Sequence, residues 1–173
     1  MFVLKEFVSV IVGSESDLDI VIENTTKTLE RFGVNYELRV WSAHRAPTEL
    51  REYVQHAEQR GAKVFIAGAG LAAHLAGAIA AMTLRPVIGI PIGGGPLNGL
   101  DSLLSTVQMP GGVPVATVAI GKAGAKNAAY LAAQILAINN LTIFNMLADD
   151  RSHMREEMLK KNVVLRDINE PNI

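Results

Sequence analysis

Two short polar segments of this 173-residue chain carry side chains that could bind a phosphate and move a proton. The first is GSESD at 13–17, where Ser14 and Ser16 offer hydroxyl donors beside Asp17. Free backbone N–H groups at the start of a helix attract anions, so a phosphate is the ligand that we expect there. Asp17 is better suited to accept hydrogen bonds from sugar hydroxyls. Serine and aspartate are also common helix caps, and these residues taken alone favour Ser16 or Asp17 as a cap.

The second segment, WSAHR at 41–45, places a histidine beside an arginine. The Arg45 guanidinium can hold a phosphate through two parallel hydrogen bonds. His44 can gain or lose a proton near neutral pH, which is what a general acid or base requires. The alternative is a loop histidine that only faces solvent, and the residues alone leave both interpretations open.

A third segment, AGAGLAAH at 67–74, is rich in small residues that let backbone amides approach a ligand closely. His74 could face that ligand, although these residues alone favour a hydrogen-bonded histidine within a packed helix. His56 and His153 are expected in solvent. No histidines and carboxylates have metal-ligand spacing, so we predict no metal. No nucleophile elbow is present, which argues against acyl transfer.

Apolar runs and helical periodicity alternate along the chain, and each of the three polar segments directly follows a predicted strand. Apolar residues at 18, 21, 22, 29 and 32 share one helical face, and Asp101 is expected to cap a short helix. Strands are predicted at 7–12, 34–40, 63–67, 87–92 and 113–120, with further helices at 47–60, after 70 and at 126–136.

This order of elements predicts an α/β fold, a three-layer doubly wound parallel five-stranded sheet that is flavodoxin-like. We expect a single domain over 1–173, with a core at about 7–140 and an amphipathic C-terminal helical tail at about 141–165. Ligands of such sheets bind beyond the carboxyl ends of the strands. The three polar segments should therefore meet at one edge of the sheet.

The composition argues against nucleic-acid and membrane binding. The formal net charge is −1, and the absence of cysteine excludes disulfides and thiolate nucleophiles. The uncharged stretch at 64–83 is better explained by a buried strand and helix than by a membrane span, because glycines interrupt it. Only 19% of residues are charged, against an ordinary value of about 25%. We expect the missing polar surface to be buried against other copies of the chain; an unusually apolar monomer is the alternative.

At these residues the sequence resembles the class I N5-carboxyaminoimidazole ribonucleotide mutases, the family of the phosphoribosylaminoimidazole carboxylase catalytic subunit. The resemblance covers about 8–140 in order. The matching segments are GSESD at 13–17, SAHRAP at 42–47, AGAGLAAHLAG at 67–77, NGLDSLLSTVQMPGGVPVATVAIG at 98–121 and KNAAYLAAQILA at 126–137.

The resemblance implies a role for each matching residue. His44 would act as the general acid and base, protonating N5 as the carbamate breaks and then removing the C4 proton. Ser14, Ser16 and Arg45 would hold the 5′-phosphate, Asp17 would bind the ribose hydroxyls, and Ser42 would shape the site. The backbone around Gly70, Ala73, His74 and Leu75 would face the carboxylate or trapped CO2. The implied assembly is a homo-octamer, which we expect in the cytoplasm, and the implied reaction needs no cofactor: no metal, biotin or ATP.

Arg45 and the AAHL at 72–75 favour the mutase class over the class that carboxylates aminoimidazole ribonucleotide directly with CO2. A relative acting on another nucleotide ring and a non-enzymatic binder of phosphorylated metabolites remain as alternatives. Four features depart from the family pattern, and if Leu71 adopts a positive φ it would be strained. They are Trp41, Leu71, Ala76 and the glycines at 93–95. The three glycines belong to the loop that is expected to cover the site.

Overall fold

The computed structural model describes residues 5–168, and it describes side chains for residues 5–162. Its strands form one sheet in the order second, first, third, fourth, fifth, and every neighbouring pair is parallel. This arrangement confirms the predicted flavodoxin-like sheet. The strands are β1 (Phe7–Val12), β2 (Tyr36–Val40), β3 (Ala62–Gly70), β4 (Val87–Ile92) and β5 (Ala116–Thr117).

Helices cover both faces of the sheet. A 3-10 turn at Glu15–Asp17 leads into an irregular helix that contains a π-helical turn at Ile22–Thr26. The α-helical segments are α1 (Leu18–Val21), α2 (Lys27–Arg31), α3 (Pro47–Arg60), α4 (Leu75–Ala80), α5 (Leu100–Val107), α6 (Lys122–Ala137) and α7 (Leu141–Ile168).

The hydrophobic core lies on both sides of β1, every residue of which is buried. On one side Val8, Val10 and Val12 pack with a stripe of alanines on α6. On the other side Ile11 packs with Leu50 of α3 and with the residues around α4. A strand covered on both faces has a nearly continuous apolar run, which is why the sequence predicted its bounds correctly. Ser9, the polar residue of β1, is buried with its hydroxyl 2.8 Å from the Tyr53 hydroxyl.

Three local predictions are wrong. β5 is two residues long rather than eight, because Pro114 has no N–H to donate and Val113 closes a turn on Pro110. Asp101 does not cap α5: the capping position is Gly99, whose φ is 90°, and no side chain bonds there. Ile22 is 37% exposed, since the π-helical turn begins at this residue and breaks the α-helical periodicity.

The tail helix α7 packs on its own domain only over its first third. Ile143 is buried, and the Asp150 carboxylate lies 2.9 Å from the Arg31 guanidinium and accepts a hydrogen bond from the Tyr130 hydroxyl at 2.6 Å. Every residue from 151 to 162 is exposed. The predicted apolar stripe is therefore largely uncovered, with Phe144, Met154 and Met158 all exposed. None of the described helices combines the length and apolarity that a membrane-spanning helix needs.

Candidate active site

A cavity of about 520 Å³ lies at the carboxyl ends of the first four strands. The three polar segments identified in the sequence all contribute to its walls, as does the loop after β4. Nine of the ten predicted site residues line it: Ser14, Ser16, Asp17, Ser42, His44, Arg45, Gly70, His74 and Leu75. The rule for parallel sheets therefore located the cavity correctly.

Ser14 organises the first wall. Its side chain occupies the N-capping position of the 3-10 turn, accepting hydrogen bonds from the Ser16 N–H at 3.4 Å and from the Ser16 hydroxyl at 3.0 Å. The cap is thus Ser14 and not Ser16 or Asp17. Because the Ser14 and Ser16 hydroxyls can rotate, both can turn towards an anion that enters the cavity.

Asp17 is the buried carboxyl of the site, with 9% of its surface exposed. Its burial raises the pKa of the carboxyl, and the neighbouring Ser16 hydroxyl partly opposes that rise. A carboxylate that is held away from water gains from hydroxyl donors that replace the lost solvation. This environment suits the acceptance of hydrogen bonds from a sugar.

The second wall is a tight turn at the end of β2. The Trp41 N–H donates to the Val12 carbonyl at 2.9 Å, which extends the strand pairing to the edge of the turn. The Ser42 hydroxyl then accepts hydrogen bonds from the Arg45 N–H at 3.2 Å and from Arg45 Nε at 3.5 Å. Arg45 is exposed and has no carboxylate within ion-pair distance in the described part of the chain. Its terminal nitrogens remain available for an anion.

The third wall comes from the chain between β3 and α4. His74 stands at the start of α4, is exposed and faces the cavity, so the packed-helix interpretation that its residues favoured is wrong. Its ring lies 5.2 Å from that of His44, measured between centroids, at an interplanar angle of 31°. The cavity therefore contains two adjacent imidazoles.

Ala73 is the predicted binding residue that does not line the cavity. Its side chain is 2% exposed, and its N–H donates to the Leu71 carbonyl at 2.9 Å. The His74 N–H likewise donates to the Ala72 carbonyl at 2.6 Å. Leu71 has a φ of 55°, as the sequence departure at this position suggested. The folded turn thus buries the Ala73 side chain and pairs the N–H groups of Ala73 and His74 within the chain.

Gly93, Gly94 and Gly95 complete the cavity, although they were absent from the predicted binding residues. Their signal was the strand-end rule itself, because Gly93 directly follows β4. The charged and titratable side chains at the cavity are Asp17, His44, Arg45 and His74. Within residues 5–162 no three His, Cys, Asp or Glu side chains are grouped as metal ligands.

Comparison with known proteins identifies the family. The model of the family described as AIR carboxylase matches residues 7–157. The chain belongs to the AIR carboxylase family. It is 51% identical over 161 residues to a Thermotoga maritima protein named N5-carboxyaminoimidazole ribonucleotide mutase, covering 93% of this chain and 92% of that relative.

A longer relative and a solved structure are also similar to this AIR carboxylase family member. It is 48% identical over 166 residues to the phosphoribosylaminoimidazole carboxylase of Candida glabrata, covering 96% of this chain but 29% of that longer relative. The crystal structure of Treponema denticola PurE superposes with a TM-score of 0.83 at 25% identity, covering 92% of this chain and 98% of the other. Sequence and structure therefore agree on the family.

Proposed function

We propose that this chain is an N5-carboxyaminoimidazole ribonucleotide mutase of purine biosynthesis, converting its substrate to 4-carboxyaminoimidazole ribonucleotide. The observation that carries the proposal is the meeting of GSESD, SAHR and AGAGLAAH in one cavity. The mutase name of a relative that is 51% identical across nearly its whole length supports it.

The cavity provides separate surroundings for the two ends of the substrate. The Ser14 and Ser16 hydroxyls and the Arg45 guanidinium would bind the 5′-phosphate, with Ser42 orienting the arginine. Asp17 would accept hydrogen bonds from the ribose hydroxyls. The aminoimidazole ring then lies towards His44, and the carboxylate towards Gly70, His74 and Leu75.

His44 carries the proton in both directions. It donates a proton to N5 as the N–C bond of the carbamate breaks, which releases CO2 and leaves neutral aminoimidazole ribonucleotide. C4 of that ring attacks the CO2, forming a C–C bond, and His44 then removes the C4 proton to restore aromaticity. The cycle is balanced, because the proton given to N5 is recovered from C4. A pKa near the working pH suits a group that must act both ways.

Holding CO2 in a closed pocket raises its effective concentration next to C4. About half of the residues that line the cavity are glycine or alanine, which leaves room for a small apolar molecule. His74 is the other imidazole within reach. We assign the proton transfer to His44, because the anion site formed by Arg45 and Ser42 directly adjoins it in the same turn.

The direct carboxylase is the competing function, and purified protein separates the two by substrate. We expect fast conversion of N5-carboxyaminoimidazole ribonucleotide and slow product formation from aminoimidazole ribonucleotide with bicarbonate. The reverse order of rates would assign the chain to the carboxylase. Turnover of neither compound, together with retained affinity for both, would indicate a binding protein.

We further propose that the enzyme is a cytoplasmic homo-octamer in which each chain forms one domain, with a core at about 7–140 and a helical tail. Supporting this assembly, large apolar side chains stand exposed just after α6 and along α7, including Ile138, Leu141 and Phe144. Isolated monomers rarely expose contiguous apolar patches of this kind.

A further inference from the structure

Part of the cavity wall is formed by a contact between a leucine and a glycine. Leu71 and Gly95 both line the cavity, and a Cβ atom placed on Gly95 would overlap Leu71 Cδ2. On the other side the same position lies 3.3 Å from Asp101 Oδ2 at the start of α5. The leucine methyl group thus fills the space that a side chain at position 95 would need.

Leu71 adopts a backbone conformation that a leucine rarely takes. Its φ of 55° lies in the left-handed region, where the Cβ of an L-residue is crowded. It is also 56% exposed, so burial of its side chain does little to offset this cost. A glycine would adopt this conformation without strain, yet it would leave the space above Gly95 empty.

Gly95 needs no special backbone conformation, because it is not one of the glycines with positive φ. The nearest atom to a Cβ there is Leu71 Cδ2, which would have to move aside. The loop is packed at Gly93, whose Cβ position lies 3.6 Å from the Asn98 carbonyl oxygen, and the Asn98 N–H to Gly95 carbonyl bond at 3.1 Å closes its far end. A Cβ on Gly94 would meet nothing within 4 Å, so the Leu71 side chain is the contact that the loop makes on its cavity side.

From this geometry we propose that Leu71 is a positioning residue, which holds the Gly93–Gly95 loop against the cavity through its contact with Gly95. The strain at Leu71 is retained because the side chain maintains the wall that the substrate binds against. This inference rests on the proposed mutase function for its kinetic readout. It predicts that replacement of Leu71 by glycine weakens substrate binding without lowering stability.

The decisive variants are Leu71→Gly and Leu71→Ala. Both remove the contact, so each should raise KM for N5-carboxyaminoimidazole ribonucleotide roughly tenfold with kcat changed less than about threefold. Only glycine relieves the backbone, so Leu71→Gly should match or exceed the wild-type Tm by up to about 4 °C, whereas Leu71→Ala should not exceed it. A merely structural leucine would lower Tm in both variants and leave KM unchanged.

A double-mutant cycle tests the contact itself. Gly95→Ala alone should raise KM, since its methyl group displaces the leucine. In the Leu71→Gly background the same methyl group occupies the vacated space, so the double variant should have a lower KM than either single variant.

The outcomes are distinguishable from failure of the proposed function. If wild-type protein has no mutase activity, the function is wrong. The positioning role is wrong if wild-type protein is active but Leu71→Gly keeps its KM within twofold. It is also wrong if the KM increase of the double variant equals the product of the increases in the two single variants. Size-exclusion chromatography of every variant checks that assembly is unchanged.

Discussion

At the scale of single residues, the buried carboxyl of Asp17 links substrate binding to stability. Burial holds the pKa of Asp17 above its ordinary value, so this carboxyl binds a proton more tightly in the folded chain than in the unfolded chain. Between the unfolded and folded pKa values the folded state binds the proton more tightly, and stability falls as pH rises through that interval. The carboxylate is thus kept in the folded enzyme at a cost, as is common for binding groups.

Asp17→Asn should remove that cost and weaken binding. We expect a higher Tm than wild type at pH 7, and a difference that shrinks as the pH falls below the ordinary aspartate pKa of 3.8. KM for the ribonucleotide should rise, because the amide is a poorer acceptor for ribose hydroxyls than a carboxylate. Melting curves between pH 3 and 7 and steady-state kinetics measure the two effects. A lower Tm at pH 7 would contradict this account of Asp17.

Part of the site was predictable from residue types, and part depended on backbone geometry. Ser14, Asp17, His44 and Arg45 follow strands, and the strand-end rule brings them together. The turn that buries Ala73 could not be foreseen from sequence, because its N–H bond to the Leu71 carbonyl has no distinctive pattern. The sequence placed His44 and His74 at the same edge of the sheet, but it could not give the 5.2 Å between their rings, which depends on side-chain conformation.

At the scale of elements, α6 approaches the chain before it through Gly124. A Cβ atom at this position would overlap the Ala119 carbonyl oxygen, which belongs to the rigid backbone. Gly124→Ala should therefore destabilise the protein by about 3 kcal/mol, through overpacking. Gly111→Ala is the matched control, because nothing lies within 4 Å of its Cβ position and its φ is not positive. Urea titrations compare the two, and equal stabilities would refute the close approach.

The first third of α7 is held by a polar cluster. The Tyr130 hydroxyl accepts a hydrogen bond from Arg31 and donates one to Asp150 at 2.6 Å, while its ring packs edge-on against Phe32. Tyr130→Phe keeps the ring and removes both hydrogen bonds, so we expect a loss of about 1–2 kcal/mol in unfolding free energy.

The control for Tyr130 is an ion pair in solvent. Lys27 Nζ lies 2.6 Å from Glu23 Oε2, and more than half of each side chain is exposed. Glu23→Gln should therefore lower the unfolding free energy by less than about 0.5 kcal/mol. If both substitutions cost the same, the cluster does not anchor α7.

Element bounds were predictable where burial was complete. β1 and β4 match their predictions to the residue, because strands buried on both faces read as nearly continuous apolar runs. β5 lies at the sheet edge, where Pro114 and the turn at Gly112 shorten the ladder although the apolar run continues. The π-helical turn at Ile22–Thr26 could not be predicted from periodicity alone. It is accompanied by hydrogen bonds from the side chains of Asn24, Thr26 and Thr28 to backbone carbonyls four residues earlier.

At the scale of the whole molecule, the proposed assembly would explain both the low charge content and the exposed apolar residues of α7. Phe144 and Met158 lie fourteen residues apart, which is close to four helical turns, so they share one face of α7. If eight chains of 18.6 kDa assemble, light scattering should give about 149 kDa.

Charges on that face should weaken the assembly. We expect Phe144→Asp combined with Met158→Asp to give a smaller species by light scattering, because a carboxylate is costly to bury at an apolar interface. Glu156→Ala, on another face of the helix, should leave the mass unchanged. A wild-type protein that stays near 19 kDa at micromolar concentration with full activity would refute the proposed assembly.

The central claim is that one imidazole, His44, carries the proton between N5 and C4. It is tested most directly by assaying His44→Asn and His74→Asn beside wild-type protein, with substrate affinity measured by equilibrium binding. We predict that His44→Asn loses about 1000-fold or more in kcat while its Kd stays within about threefold, and that His74→Asn retains more than a tenth of kcat. A His44→Asn enzyme with kcat within tenfold of wild type would contradict the account.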